Sequence, residues 1–95
     1  MKLFQLFKKK EKAVVVIPAY NEEEVIGRTI DLIKATKLPL DIIVVNDGST
    51  DRTASVAKEK GCIVVNLPKN VGKANAFLAG IKEALKLNPT AVVTL

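Results

Sequence analysis

The sequence contains no histidine and no tryptophan, and it has a single cysteine, Cys62. Without histidine the chain cannot use imidazole for acid–base catalysis or for holding a metal ion. One cysteine cannot form a disulfide within the chain, and Cys62 lies in an apolar run, so we expect a structural thiol in a reduced, cytoplasmic setting. Aromatic residues make up only 4% of the chain. Because that leaves few side chains for base stacking, we expect no nucleic-acid partner.

The positive charge is concentrated at the N-terminus. Residues 1–12 carry five lysines and one glutamate, for a net +4, whereas residues 13–95 carry ten basic and nine acidic groups, for a net +1. The same tail places four large apolar residues at helical spacing: Leu3, Phe4, Leu6 and Phe7. The tail is too short to span a bilayer. Its composition suits either an interfacial membrane anchor, with its lysines on anionic head groups, or a frayed leader before the first strand.

Residues 13–95 alternate between short β-branched runs and segments of helical periodicity. The predicted strands are 13–17, 41–45, 62–67 and 91–95, with one predicted helix in each interval between them. This β-α-β-α-β-α-β order, with strands that are apolar throughout, predicts a parallel sheet of four strands with three helices distributed over both faces. The sequence stops at the fourth strand, so we expect an incomplete domain.

Polar residues follow each of the first three predicted strands. The stretches are PAYNEEE (18–24), NDGSTD (46–51) and PKNVGKAN (68–75). Because the carboxyl ends of parallel strands share one edge of a sheet, we expect these loops to meet there, where ligands of open α/β sheets bind. The glycine patterns of dinucleotide-binding and P-loop proteins are both absent.

The first of these loops is acidic, with three consecutive glutamates, Glu22 to Glu24. Asn21 followed by Glu24 matches a capping box, so Asn21 is the predicted N-cap of the first helix. The glutamates occupy the field of a helix N-terminus that would otherwise attract phosphate. A bound nucleotide therefore needs another cation for its phosphates, either a metal ion or the basic groups near Lys69 and Lys73.

Three stretches resemble, in order, the opening motifs of inverting family 2 glycosyltransferases, which include polyprenol-phosphate sugar synthases. They are VVIPAYNEEEVIGRTI, DIIVVNDGSTDRTASVA and NVGKANAFLAGIKEAL. The resemblance covers residues 13–95 and implies the nucleotide-binding, Rossmann-like half of a GT-A fold. It also implies a nucleotide-sugar donor, linked to UDP or GDP.

The resemblance also implies a set of substrate-binding residues. Pro18, Ala19 and Tyr20 would line the base and ribose pocket, and Glu22 would lie beside the nucleoside. Val45 would contact the base, and Asp47 would accept a hydrogen bond from a base N–H, as a donor-free carboxylate can. Gly72 and Lys73 would lie near the nucleotide, where the lysine could offset phosphate charge. From the residues alone, Asp47 also fits a simple turn residue that caps a helix.

Two features depart from the family pattern. Asn46 stands where many relatives have an acidic residue, and it keeps the hydrogen-bonding capacity of that position but carries no charge. The family's Asp-x-Asp pair, which holds Mg²⁺ or Mn²⁺, would come just beyond Leu95, and the general base would follow it. We therefore expect no catalytic residue and no metal ligand within this sequence.

The sequence thus predicts the nucleotide-binding portion of a glycosyltransferase, inactive by itself, whose acceptor is a hydroxyl or a polyprenol phosphate at the cytoplasmic face of a membrane. Two other readings remain open. One is a half-domain that self-associates through an exposed sheet edge, and the other is a non-catalytic nucleotide-binding module.

Overall fold

The computed structural model describes residues 12–95, which form one four-stranded parallel sheet with three helices. The strands are β1 Ala13–Ala19, β2 Leu40–Asn46, β3 Ile63–Asn66 and β4 Ala91–Thr94, and the helices are α1 Glu23–Ala35, α2 Thr53–Glu59 and α3 Lys73–Leu85. The strand order is β3-β2-β1-β4, so β1 and β2 are central. The predicted element order and parallel sheet are confirmed. The predicted tail lies outside the described residues, except for Lys12.

The two central strands are buried on both faces because nearly all of their side chains are β-branched or small. One face carries Val15, Ile17, Ile42 and Val44, which pack with residues of α1 and α2. The other carries Val14, Val16, Ile43 and Val45, which pack with residues of α3. Helices therefore cover both faces of the sheet, as the apolar strands predicted.

The fourth strand lies at one edge of the sheet, and its four residues pair with the first four residues of β1. Val92, Val93 and Leu95 are exposed there. Within residues 12–95 the other side of β4 pairs with no strand. Across the same residues, none of the helices has the length and apolar character needed to cross a bilayer.

Helix α3 approaches the sheet most closely at Gly80. A Cβ atom at this position would lie 2.3 Å from Val16 Cγ1 and 2.8 Å from Val45 Cγ2. Both valines are fully buried, so neither can move aside easily. Gly80 therefore sets how closely α3 lies on β1 and β2.

The predicted capping box at the start of α1 is wrong. Asn21 adopts a left-handed conformation with φ of 49°, and the N-cap is Glu22, whose side chain makes no capping hydrogen bond. The loop after β2 caps the helix instead. The Glu22 N–H donates to Thr53 Oγ1 at 2.8 Å, and the Glu23 N–H donates to Asp51 Oδ2 at 3.2 Å. Because β1 and β2 are adjacent and parallel, their following loops lie side by side, and a neighbouring loop replaces the local cap.

These hydrogen bonds lower the pKa of the Asp51 carboxylate. Burial disfavours its charged form, but hydrogen bonds from the Thr53 hydroxyl and from the backbone N–H groups of Thr53 and Glu23 outweigh burial and hold its pKa below the ordinary value of 3.8. The negative charge also lies at the positive end of α1.

We expect Thr53→Val to destabilise the fold by about 1–3 kcal/mol, because it leaves the Glu22 N–H without its acceptor in a part-buried site. Thr53→Ser keeps the hydroxyl and is the matched control. Urea unfolding of both variants measures the difference. Equal stability of the Val and Ser variants would contradict the proposed capping role.

We expect Asp51→Asn to lower the melting temperature at neutral pH, and the loss to vanish in acid. A carboxylate whose folded pKa is lowered stabilises the fold above its ordinary value of 3.8, and this contribution disappears as the pH falls through the folded pKa. Thermal melting of both proteins at pH 7 and well below pH 3.8 tests this. A melting difference that is independent of pH would rule out the ionised cap.

We expect Gly80→Ala to destabilise the fold by about 1–3 kcal/mol, the usual cost of overpacking a rigid core. Alanine's better helix propensity, about 1 kcal/mol, should not compensate fully. Gly27→Ala in α1 is the control, since its Cβ would meet its nearest neighbour, Val56 Cγ1, only at 3.2 Å. Denaturant unfolding should rank Gly80→Ala below Gly27→Ala, and the reverse order would contradict the close approach of α3.

Candidate functional site

The loops that follow β1, β2 and β3 enclose one open cleft of about 310 Å³ at the carboxyl edge of the sheet. Its lining residues are Pro18, Ala19, Tyr20, Glu22, Asp47, Asn70, Gly72 and Lys73. Seven of the eight predicted site residues are among them. Asn70 was not predicted. Its signal in the sequence was only an amide side chain two residues before the glycine of a polar loop.

Val45 is the predicted residue that the cleft does not include. Its side chain is fully buried and points toward α3, where its Cγ2 atom lies next to Gly80. The residue after it in β2, Asn46, is also buried, at 8% exposure. Val45 therefore lies in the strand that leads to the cleft, but its side chain packs against α3 and does not line the cleft.

A second cleft, of about 240 Å³, lies at the opposite edge of the sheet and includes Lys34, Asp41 and Cys62. Burial raises the pKa of the Cys62 thiol, and the nearby Lys34 charge only partly opposes it. The thiol is therefore protonated at neutral pH and a weak nucleophile. The cleft at the carboxyl edge is the better candidate, because three loops bring different polar groups to it.

The first loop presents Tyr20 to the cleft with 48% of its surface exposed. The loop is held in place by its neighbour. The Asp47 N–H donates to the Ala19 carbonyl at 2.9 Å, and the Asn21 N–H donates to Ser49 Oγ at 2.9 Å. In return, Asn21 Oδ1 accepts the Thr50 N–H at 2.8 Å. An exposed aromatic ring on a braced loop is a ready contact surface for a planar ligand group.

Asn46 braces the loops and does not face the ligand space. Its Nδ2 group donates to Asn66 Oδ1 at 2.9 Å, and its own Oδ1 accepts the Ser49 N–H at 3.1 Å. Asn46 thus joins the end of β2 to the end of β3 and to the turn that follows β2.

Asp47 is almost completely buried, at 3% exposure, and holds the third loop. Its Oδ1 accepts the Val71 N–H at 2.8 Å, and its Oδ2 accepts the Gly72 N–H at 3.2 Å. Its backbone carbonyl accepts a hydrogen bond from Asn70 Nδ2 at 3.4 Å. The loop after β2 thus supplies a carboxylate to the start of α3 through Asp47 and to the start of α1 through Asp51.

The carboxylates of Asp47 and Asp51 affect which part of the cleft can attract an anion. The helix N-termini beside it, which would otherwise attract a phosphate, already hold negative side chains of the chain itself. Lys73, the first residue of α3, is the only cationic side chain among those that line the cleft, and Glu22 opposes it from the first loop. An anionic ligand group is therefore favoured near Lys73.

The described residues do not fit a divalent metal ion. Across residues 12–95, no group of three or more Asp, Glu, Cys or His side chains is arranged to hold one. Of the two carboxylates that line the cleft, Asp47 is already engaged by two backbone N–H groups, which leaves Glu22.

Comparison with known proteins assigns a family. Residues 14–86 match the family described as glycosyl transferase family 2. An uncharacterised protein of Methanocaldococcus jannaschii is 41% identical over 85 residues, which cover 90% of this chain and 35% of that protein. The 4,4'-diaponeurosporenoate glycosyltransferase of Staphylococcus aureus is 41% identical over 75 residues, which cover 74% of this chain and 20% of the enzyme.

Solved structures agree. Glucosyl-3-phosphoglycerate synthase of Mycobacterium tuberculosis, in complex with Mn²⁺, UDP and glucosyl-3-phosphoglycerate, superposes with a TM-score of 0.65 at 28% identity, over 90% of this chain and 33% of that one. A complex of the same enzyme with Mn²⁺, UDP-glucose and phosphoglyceric acid gives a TM-score of 0.59 at 34% identity, over 70% of this chain and 27% of that one. This chain therefore spans between a fifth and about a third of the length of these relatives. With its Rossmann-like sheet of the GT-A type and a family match over most of its length, the chain belongs to glycosyl transferase family 2.

Proposed function

We propose that the cleft at the carboxyl edge binds the nucleoside diphosphate part of a nucleotide-sugar donor. The observation that carries this proposal is the convergence of three loops on one cleft with a half-exposed tyrosine and a single cationic side chain. Structures of a relative in complex with UDP and with UDP-glucose support it.

Six of the residues that line the cleft have a role in this proposal. Tyr20 offers a ring face to the base, beside the apolar walls formed by Pro18 and Ala19. Glu22 can accept hydrogen bonds from ribose hydroxyls. Gly72 has a φ of 92° and no atom within 4 Å of where a Cβ would lie, so the ligand can approach its backbone closely. Lys73 partly neutralises the diphosphate.

The reaction we propose for a protein that combines this domain with a metal site is sugar transfer with inversion. An acceptor oxygen attacks the anomeric carbon, the bond from that carbon to the diphosphate breaks, and the nucleoside diphosphate leaves with the bonding electrons. A hydroxyl acceptor gives up its proton to a base or to water, whereas an ionised phosphate acceptor has none to lose. A divalent ion would supply charge neutralisation on the diphosphate, as the Mn²⁺ complexes of the relative indicate. Since residues 12–95 offer no ligand set for that ion, we propose that this chain alone binds nucleotide weakly and does not catalyse transfer.

The acceptor is a separate proposal that rests on composition. The basic and apolar residues of 1–12 favour attachment to an anionic membrane surface at the cytoplasmic face, and hence a lipid acceptor such as a polyprenol phosphate. The membrane attachment is tested by measuring how the chain binds vesicles with and without anionic lipid, before and after removal of residues 1–12.

A second candidate is self-association, with or without nucleotide binding. The exposed Val92, Val93 and Leu95 on a strand edge favour it, because unpaired edges template pairing with another chain. Sedimentation over a range of concentrations distinguishes a monomer from an edge-paired dimer.

We expect calorimetric titration of the chain with UDP or GDP to show weak binding that depends on Lys73. Lys73→Ala should weaken it by up to about fivefold, the effect of one solvent-exposed charge pair. Lys82→Ala, in the last turn of the same helix, is the matched control and should change nothing. Absence of binding, or equal weakening by both variants, would contradict the proposal. Sugar transfer by the isolated chain would contradict its proposed inactivity.

A further inference from the structure

We propose that Asn70 determines which base the cleft accepts, because its side-chain amide donates a hydrogen bond to a carbonyl group of a uracil ring. This inference rests on the proposed nucleotide binding and names the base of the nucleotide. Asn70 lines the cleft, but it is not one of the site residues that the family resemblance implied, and the binding proposed above gives it no role.

The position of Asn70 carries the inference. Its side chain is exposed and lines the same cleft as Tyr20 and Asp47. Asn70 Nδ2 donates to the backbone carbonyl of Asp47 at 3.4 Å, which is longer than a typical N–H···O hydrogen bond. An amide nitrogen carries two hydrogens, so one remains for a ligand even while this bond is made.

The carboxylate of Asp47 lies beside this amide. The two residues that follow Asn70 keep it there, because Asp47 Oδ1 accepts the Val71 N–H at 2.8 Å and Asp47 Oδ2 accepts the Gly72 N–H at 3.2 Å. Each carboxylate oxygen can accept more than one hydrogen bond, so both oxygens keep capacity for a donor of the ligand. The wall of the cleft therefore presents an acceptor, the carboxylate, next to a donor, the amide.

The backbone fixes the spacing between these two groups. A Cβ atom at Gly48 would lie 2.5 Å from the Asn70 nitrogen, so the loop after β2 and the loop after β3 are in direct contact. Gly48 also has a φ of 73°, a conformation that glycine adopts without strain. A donor and an acceptor that are already held at a defined spacing lose little freedom when a ligand binds.

Uracil matches this pair of groups. Its ring N–H lies between two carbonyl groups, so a carboxylate that accepts the N–H leaves a carbonyl oxygen beside the amide, whichever way the base enters. Guanine has a carbonyl group on one side of its ring N–H and an amino group on the other, so only one orientation would serve. Cytosine has no N–H within its ring, so its carbonyl group does not lie beside a donor. A site built to bond one base edge binds others more weakly, because its polar groups then stay unpaired.

NMR titration of the isotopically labelled, unaltered 95-residue chain tests the contact directly. UDP should shift the side-chain amide signals of Asn70, whereas inorganic pyrophosphate, which has no base, should leave them in place. Asn75 is the internal control, since its amide donates to the Val71 carbonyl at 3.0 Å and does not line the cleft, and its signals should move less. UDP binding that leaves the Asn70 signals unmoved, or equal shifts with pyrophosphate, would overturn the proposal.

A binding cycle then identifies the group that the amide meets. UDP and its two thio-analogues, in which sulfur replaces one or the other ring carbonyl oxygen, are titrated into the unaltered chain and into Asn70→Ala. Sulfur is the weaker acceptor, and both analogues keep the ring N–H. One analogue should bind the unaltered chain about threefold to tenfold more weakly than UDP, the effect of one neutral hydrogen bond. In Asn70→Ala this difference should disappear, because the donor is gone. Asn75→Ala is the matched control and should retain it.

Two results of the cycle would overturn the role of Asn70. One is that Asn70→Ala weakens UDP and both analogues by a common factor, since the residue would then act through the loop. The other is that neither analogue binds the unaltered chain more weakly than UDP does. If the unaltered chain binds none of the three ligands, the proposed nucleotide binding fails and this inference fails with it. UDP binding without the sulfur-dependent difference contradicts this inference alone.

Discussion

Side chains that follow β2 accept hydrogen bonds from the backbone N–H groups of the two neighbouring loops, and these bonds hold the carboxyl edge of this sheet together. Asp51 and Thr53 bind the start of α1, and Asp47 binds the loop that leads into α3. The loop can reach both because β2 lies next to β1 on one side and next to β3 on the other. The cleft exists because one central loop positions the loops on either side of it.

This arrangement explains the distribution of charge around the cleft. A Rossmann-like protein that binds phosphate at a helix N-terminus leaves the amides of that terminus free. Here the starts of α1 and α3 are satisfied by aspartates of the chain, so the negative charge of a ligand must be matched elsewhere. Lys73 is one source among the residues that line the cleft, and the mycobacterial relative has been solved in complex with both Mn²⁺ and UDP-glucose.

Apolar packing in the core fixes the position of α3 on the sheet. Valine and isoleucine side chains fill both faces of β1 and β2, and Gly80 lets α3 lie directly on them. Gly72 is the N-cap of α3 and Lys73 its first residue, so the depth at which the helix packs also sets where these residues meet the cleft. The same close packing turns Val45 inward and removes it from the ligand surface.

The sequence by itself determined the element order, the parallel sheet and the edge at which the loops meet, because apolar periodicity and strand polarity depend on local pattern. Seven of the eight residues that the family resemblance implied line one cleft, because the loops that follow parallel strands share an edge of the sheet. Only the tertiary structure decided which side chains serve the ligand space and which serve the loops. The cap of α1 comes from Asp51 and Thr53 instead of Asn21, and Asp47 bonds to Val71 and Gly72. A backbone N–H bonds to an acceptor that lies close to it in the folded structure. The distance between two groups in different loops cannot be read from their spacing in the sequence.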